Sequence, residues 1–309
     1  MAGWVADAPG RALPSYELID LGFLACEFPS VLCDSSEAVA INQIGTVAGM
    51  VEIPEPHCNH AAIYRDGAWL DLGVLGVPPG EVTPSSFAAD LNNRDQVAGT
   101  SMTENIPPPG LSFVFRAFFW DEDTGMRDLG ALGRFTECFV FEGEEFCFTN
   151  DFSWATAVND QGQVVGSTST EDSPSRAFLW DEDEGMRDLG ALSGSYKGQS
   201  DAVDINNRGE VLGNSGGRAF LYANGVMRDL DETLPFSEAI AINDAGQVLL
   251  RIAGRPYLWH NGKKKLLEPL PGDFAATPIS LNNRGQVVGE SYGACPGSCS
   301  IRPVLWDGE

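Results

Sequence analysis

A six-fold internal repeat constrains the fold of this chain more than any other feature of its 309 residues. One segment recurs as EAVAINQIGTVAG from Glu37, FAADLNNRDQVAG from Phe87, WATAVNDQGQVVG from Trp154, DAVDINNRGEVLG from Asp201, EAIAINDAGQVLL from Glu238 and TPISLNNRGQVVG from Thr277. A second follows each: HAAIY from His60, RAFFW from Arg116, RAFLW from Arg176, RAFLY from Arg218, RPYLW from Arg255 and RPVLW from Arg302. A third comes next: WLDLG from Trp69, MRDLG from Met126 and Met186, MRDLD from Met227, and a drifted KKLLE from Lys264. The segments are short, apolar and partly β-branched, with period-two alternation and Asn/Asp/Gly turns between them. Asn-Asp-x-Gly and Asn-Asn-x-Gly supply the left-handed positions of tight hairpins, so the first segment reads as two strands around a turn. Four antiparallel strands, a to d, in a unit of about 40 residues make the blade of a β-propeller.

The sixth repeat ends at Leu305-Trp306-Asp307-Gly308-Glu309 without a strand d, and Tyr16-Glu17-Leu18-Ile19-Asp20-Leu21-Gly22 matches the missing third motif. A strand donated by the N-terminus seals a ring and removes its exposed edges, whereas an open solenoid would carry caps. The expected fold is therefore all-β: one domain over residues 1–309, a six-bladed propeller closed by residues 16–22, with an insertion at 134–153.

These motifs resemble the HAF-repeat family of extracellular repeat proteins, whose His-Ala-Phe signature is matched by His60-Ala61-Ala62 and Arg176-Ala177-Phe178. The Asn-Asp-x-Gly and Asp-Leu-Gly motifs match the family's flanking segments. The resemblance spans nearly the whole chain and departs mainly in Arg for His. It implies an extracellular bacterial or archaeal setting and carries no agreed activity.

Forty-four acidic residues against 19 basic ones give a net charge of −25. That field repels nucleic acid and anionic lipid, and it suits solubility, a high-salt habitat or cation binding. No apolar run approaches the roughly 20 residues of a membrane helix, so membrane insertion is not expected. The opening residues lack a charged n-region and an apolar h-region, so no signal peptide is read there, although one could have been removed. Three close cysteine pairs stand out: Cys26 with Cys33, Cys138 with Cys147, and Cys295 with Cys299. They read as local disulfides of an extracellular or periplasmic protein, with Cys58 left over. Their spacing is not that of a zinc site.

In such a blade the a–b and c–d turns share one face, and the b–c and d–a connections share the other. The a–b and c–d turns are all short. The long connections are 50–59, 100–115 and 291–301 (b–c) and 22–36, 77–86 and 134–153 (d–a), so every large insertion and every cysteine falls on one face. Insertions on one side of a repeat scaffold build binding surfaces. Glu37, Phe87, Trp154, Asp201, Glu238 and Thr277 begin strand a on that face and vary where a purely structural position would repeat, so they are the candidate ligand ring, with His57 from a long loop. Deeper in, Asp90 and Asp204 are either solvated channel carboxylates or a Ca²⁺ site. Segment 138–148 reads as a disulfide-pinned hairpin turning at Glu142-Gly143, with Phe139, Phe141, Phe146 and Phe148 opposite the disulfide, either packed on the rim or forming a contact patch. The Arg/His set on strand c and Asp20, Asp71, Asp128, Asp188 and Asp229 on strand d recur at matched positions and read as scaffolding.

No Ser-His-Asp spacing, nucleophile elbow, phosphate loop or metalloprotease motif is present. The first functional expectation is an extracellular module that binds a glycan, peptide or protein through the loop-rich face. The alternative is an enzyme at the channel mouth, a carbohydrate-active lyase or hydrolase or a Ca²⁺-dependent lactonase. It would use Glu37, Asp201 or Glu238 as acid and base and Trp154 as a sugar platform.

Overall fold

The computed structural model describes residues 18–22, 35–53, 58–76, 84–103, 114–141, 144–231, 236–293 and 300–307. It is all-β. Sheet I holds Ser36–Ile41, Val47–Ile53, Cys58–Arg65 and Ala68–Asp71; sheet II holds Ser86–Leu91, Val97–Met102, Phe115–Asp121 and Gly125–Asp128. Sheet III holds Ser153–Val158, Val164–Thr168, Arg176–Asp181 and Gly185–Asp188; sheet IV holds Asp201–Ile205, Val211–Ser215, Arg218–Ala223 and Val226–Asp229. Sheet V holds Ser237–Ile242, Val248–Ile252, Arg255–His260 and Lys263–Leu266; sheet VI holds Asp273–Leu281, Val287–Gly293 and Ser300–Trp306. Within each sheet the strands lie in chain order and pair antiparallel, so the repeat motifs are strands a to d as read from the sequence.

Each sheet packs its apolar face on the next. The leucine of Asp-Leu-Gly closes every such junction: Leu72 lies against Ala88 and Leu91 of sheet II, Leu129 against sheet III, Leu189 against sheet IV and Leu230 against sheet V. Leu267 does the same against sheet VI. Phe118, Phe178 and Phe220, the third residues of Arg-Ala-Phe, are fully buried. They need the strand-b glycines beside them. A Cβ on Gly213 would lie 2.3 Å from Asp201 O and 2.5 Å from the Phe220 ring, closer than atoms pack.

A serine latch adds a polar joint. Ser86 Oγ accepts from Ala61 N at 2.9 Å and donates to Gly73 O at 2.6 Å, tying sheet II to sheet I. Ser153, Ser200 and Ser237 accept in the same way from Ala117, Ala177 and Ala219. At the V–VI junction the strand-c residue is Pro256, which has no N–H, and the serine position is Ala276. Donor and acceptor are lost together.

Strand a carries a β-bulge in all six sheets, between Ala38/Ala40, Ala88/Asp90, Ala155/Ala157, Ala202/Asp204, Ala239/Ala241 and Pro278/Ser280. The register shifts there, so residues two apart on strand a stand opposite consecutive residues of strand b, as Ala38 and Ala40 stand opposite Gly49 and Ala48. Sequence alternation alone does not reveal this.

The two ends of the array differ from its middle. Ile41 is 70 % exposed and Val288 46 %, whereas Ile242 and Leu212, at the equivalent places in interior sheets, are 6 % and 0 %. Residues 18–22 nevertheless sit on sheet I as a strand d sits on its successor. Leu21 packs with Val47, Val51, Ala62 and Trp69, Ser36 Oγ donates to Gly22 O at 2.9 Å, and Trp69 Nε1 donates to Leu21 O at 3.1 Å. Tyr16 and Glu17 lie outside the described residues, and no ladder joins 18–22 to sheet VI among those described.

Candidate functional site

The a–b turns, read from sequence only as tight hairpins, are hydrogen-bonded in series from sheet I to sheet VI, as an arc of a wheel. Each turn begins with an asparagine, and in five of the six its side-chain amide crosses to the next sheet: Asn42 Nδ2 to Asn92 O at 3.1 Å, Asn92 to Asn159 O at 2.8 Å, Asn159 to Asn206 O at 3.1 Å, Asn206 to Asn243 O and Asn243 to Asn282 O at 3.0 Å, while Asn282 Nδ2 donates to Gln286 of its own turn. The same asparagine's Oδ1 folds its own turn, as Asn206 does by accepting from Arg208 N and Glu210 N. A second circuit runs beside it, with Gln43 N donating to Asn93 Oδ1, Asn93 N to Asp160, Asp160 N to Asn207, Asn207 N to Asp244 and Asp244 N to Asn283. Turns from all six sheets line a single polar cavity of about 360 Å³. The sequence held the signal: the second turn residue varies among Gln, Asn and Asp, but the first is always Asn. An Asx turn would accept Asp there, while only an amide both folds its own turn and donates to the next.

Asp90 and Asp204 lie one residue before Leu91 and Ile205, which line this cavity. Asp90 accepts from Val158 N of the next sheet at 2.9 Å, and Asp204 accepts from its own Ile205 N and from Ile242 N of the next sheet, both at 2.8 Å. Enclosure by protein pushes Asp90 up to about 6, against the pull of the Val158 and Leu91 N–H groups. Enclosure likewise pushes Asp204 up to about 7, with the charge of Asp90 adding to it. These are the residues present for a channel Ca²⁺. That ion wants six to eight oxygens, yet Ala40, Ala157 and Ala241 occupy three of the six positions at this level and backbone N–H groups already hold both carboxylates. The donor set fits two interstrand latches better than a Ca²⁺ cage.

On the loop-rich face the candidate ring residues have separate surroundings. Glu238 Oε2 takes both guanidinium bonds of Arg251, directly across the ladder. Asp201 Oδ1 accepts from Ser175 Oγ. Glu37 is exposed, and Thr277 pairs with Glu290, whose carboxylate accepts from Tyr292 OH at 2.6 Å. Trp154 is 39 % exposed and stacks on Phe115, with ring centroids 5.1 Å apart, while Phe87 is half-buried. His57 lies outside the described residues. So do Cys26, Cys33, Cys295 and Cys299, and of the three disulfides expected from the cysteine spacing only Cys138–Cys147 falls among the described residues.

The hairpin in the II–III connection forms as its alternation indicates. Phe135–Phe141 pairs with Glu144–Asn150, Cys138 faces Cys147, and the two are disulfide-bonded. Phe139 and Phe146 stack at 5.8 Å and are 51 % and 45 % exposed, so this pair is a surface patch and not rim packing. The base is held by a buried network in which Asp151 accepts from Arg116 and from Arg134 at 2.6 Å. Lys197, paired with Glu137, ties the hairpin to the III–IV connection.

Cys58, unassigned from sequence, is buried with its Sγ 3.5 Å from His60 Nε2, and His60 Nδ1 is 2.9 Å from Asp71. The order nucleophile, base, orienting carboxylate is that of a cysteine triad. Burial, helped by the charge of Asp71, pushes the thiol above its ordinary value, which works against the thiolate such a triad needs. His60–Asp71 is the sheet I form of a strand c to strand d pair seen again in Arg218–Asp229 at 2.7 Å. The recurring aspartates also accept from the glycine two residues on, as in Asp128–Gly130 and Asp188–Gly190, which makes them scaffolding.

No family model and no curated protein matches the chain. Among solved structures it is similar to a triple arginine-to-alanine mutant of AofleA from Arthrobotrys oligospora (11 % identity, 88 % of this chain and 84 % of that one, TM-score 0.38). It is also similar to puromycin hydrolase (13 %, 89 % and 52 %, TM-score 0.35). A third likeness is to the extracellular domain of a protein described as a one component system from B. thetaiotaomicron (11 %, 93 % and 40 %, TM-score 0.36). The chain thus spans about half of the second protein and two-fifths of the third. Likenesses at this level assign neither activity nor ligand.

Proposed function

We propose that this chain is a six-bladed propeller closed by residues 16–22, and that it is an extracellular or periplasmic module binding a glycan, peptide or protein through its loop-rich face. Closure is supported by the Leu21 and Ser36 contacts, which repeat those of an authentic strand d, and by the single cavity that turns of sheets I and VI share. The exposed apolar faces of these two sheets are the surfaces that closure would cover. An oxidising setting is supported by the Cys138–Cys147 disulfide and by the HAF-like repeats.

One observation carries the binding reading. The six exposed aromatic side chains among the described residues, Phe139, Phe146, Trp154, Tyr196, Phe236 and Phe274, all belong to d–a connections or to the strand starts that follow them. Chance would spread them over both faces, and apolar side chains collected on one rigid face mark recognition surfaces. The paired-carboxylate enzyme has less support, because Glu238 is committed to Arg251 and Asp201 to Ser175. The test is binding of the intact protein to glycan and peptide arrays, repeated with Trp154→Ala and with Phe139→Ser/Phe146→Ser. The reading expects array ligands that at least one of these variants loses, and it is contradicted if all ligands bind both variants as well as the parent.

A further inference from the structure

Deepening the binding reading on which it rests, we infer that the notch between sheets IV and V on the loop-rich face is a binding site for a sugar unit of a neutral glycan. The notch exists because two b–c connections there are minimal. Gly216-Gly217 in sheet IV and Ala253-Gly254 in sheet V are two-residue turns with positive φ throughout, where sheets I, II and VI carry long loops. The result is a recess of about 330 Å³, lined by Asn214, Gly217, Phe236, Ser237, Glu238, Arg251, Ala253 and Gly254. That volume is at the small end of the roughly 300–1,000 Å³ typical of ligand sites.

Its lining has the chemistry of polyol recognition. Phe236 is 69 % exposed and offers a plate for the C–H face of a sugar ring. Glu238 uses Oε2 for both bonds from Arg251 Nε and Nη2, which leaves Oε1 as an oriented acceptor and Arg251 Nη1 as a donor. Asn214 accepts from Ala239 N through Oδ1 at 2.9 Å, fixing the amide so that its NH₂ remains a donor among the described residues. Two fixed donors and a fixed acceptor beside an aromatic plate suit hydroxyl groups, which both give and take hydrogen bonds. The ion pair holds these groups in place before the ligand arrives, which lowers the ordering cost of binding.

Charge selects within that class. The one cation of the notch is neutralised by Glu238, and Glu290 stands in the neighbouring sheet with Tyr292 bonded to it. In a chain of net charge −25 this leaves no basic excess for a phosphate, sulfate or uronate. A cationic ligand would find the free carboxylate oxygen but would face the Arg251 charge beside it. A neutral glycan meets neither penalty.

The experiment is a titration of the intact protein with cellotriose, mannotriose, maltotriose and chitotriose, with the trisaccharide of galacturonic acid as an acidic control, read by calorimetry and saturation-transfer NMR. Variants are Phe236→Ala, Glu238→Gln, Asn214→Ala and, as a control in an exposed a–b turn on the opposite face, Ile44→Ser, each checked for parental Tm. At least one neutral trisaccharide should bind, with Phe236→Ala weakening it about tenfold, Glu238→Gln and Asn214→Ala also weakening it, and Ile44→Ser leaving it within about twofold. Neutral binding unaffected by Phe236→Ala and Glu238→Gln overturns the notch while leaving the loop-rich face as a binding surface. Preference for the acidic sugar, or no binding of any neutral trisaccharide, overturns the inference, and the broader reading then stands or falls on the peptide array.

Discussion

The two faces of the molecule are built on opposite rules. On the a–b face every turn opens with the same asparagine, five of the six amides donate to the next sheet, and the second circuit of side-chain acceptors repeats with small changes. On the loop-rich face the ring positions do not repeat: they are Glu37, Phe87, Trp154, Asp201, Glu238 and Thr277, the connections range from two residues to a disulfide-pinned hairpin, and the exposed aromatics collect there. Where a side chain serves the joint between sheets, all joints demand the same one. The strand-a starts on the other face carry no such shared demand and diverge. That contrast fits a structural role for the first face and the proposed binding role for the second.

The sharpest way to break that division is at the seam. A chain lacking residues 1–22 should lose on the order of 10 °C in Tm, because an entire junction loses its Leu21 and Ser36 contacts. An unchanged Tm would mean that residues 16–22 close nothing. Within the wheel, Asn206→Ala removes a buried amide that serves two turns and should cost about 3 kcal/mol in chemical denaturation. Loss below about 0.5 kcal/mol would show the wheel to be ornamental.

A pH series probes the two enclosed carboxylates of strand a, between the faces. Asp90 and Asp204 have folded-state pKa values of about 6 and about 7, above the ordinary carboxyl value of 3.8. The folded state therefore holds their protons more tightly, so their contribution to stability is full below about pH 4 and is lost as pH rises through 6 and 7. The Tm should fall from pH 5 to 8, and Asp90→Ala/Asp204→Ala should flatten that fall. An equal slope in the double variant would show that general repulsion among the acidic residues causes it. The smallest effect belongs to the other face: Phe139→Ser should change stability by no more than about 0.5 kcal/mol, since the ring is half exposed. A large loss would make the hairpin patch structural.

Much of the scaffold was legible because a repeat reports its own register. Hydrophobic alternation and turn residues placed the strands, and a two-residue turn placed Cys138 opposite Cys147. The interactions between sheets were less visible, since local propensity carries no term for them. The invariant Asn of the turns looked like a hairpin former until its amide was seen crossing to the next sheet. The strand-a bulge hid how Asp90 and Asp204 reach the backbone of the following sheet. The candidate ring names positions whose side-chain partners the sequence does not supply. Only register shows that Glu238 faces Arg251, and only the short turns of sheets IV and V turn that pair into a recess with Phe236.

Hydrogen exchange of the intact protein, free and saturated with its strongest array ligand, tests the division of labour most directly. The account predicts new protection on the loop-rich face, at the strand-a starts and the b–c and d–a connections, while the turns at 42–46, 92–96, 159–163, 206–210, 243–247 and 282–286 remain as protected as before. Ligand-induced protection confined to those six turns would place recognition on the wheel and contradict the account.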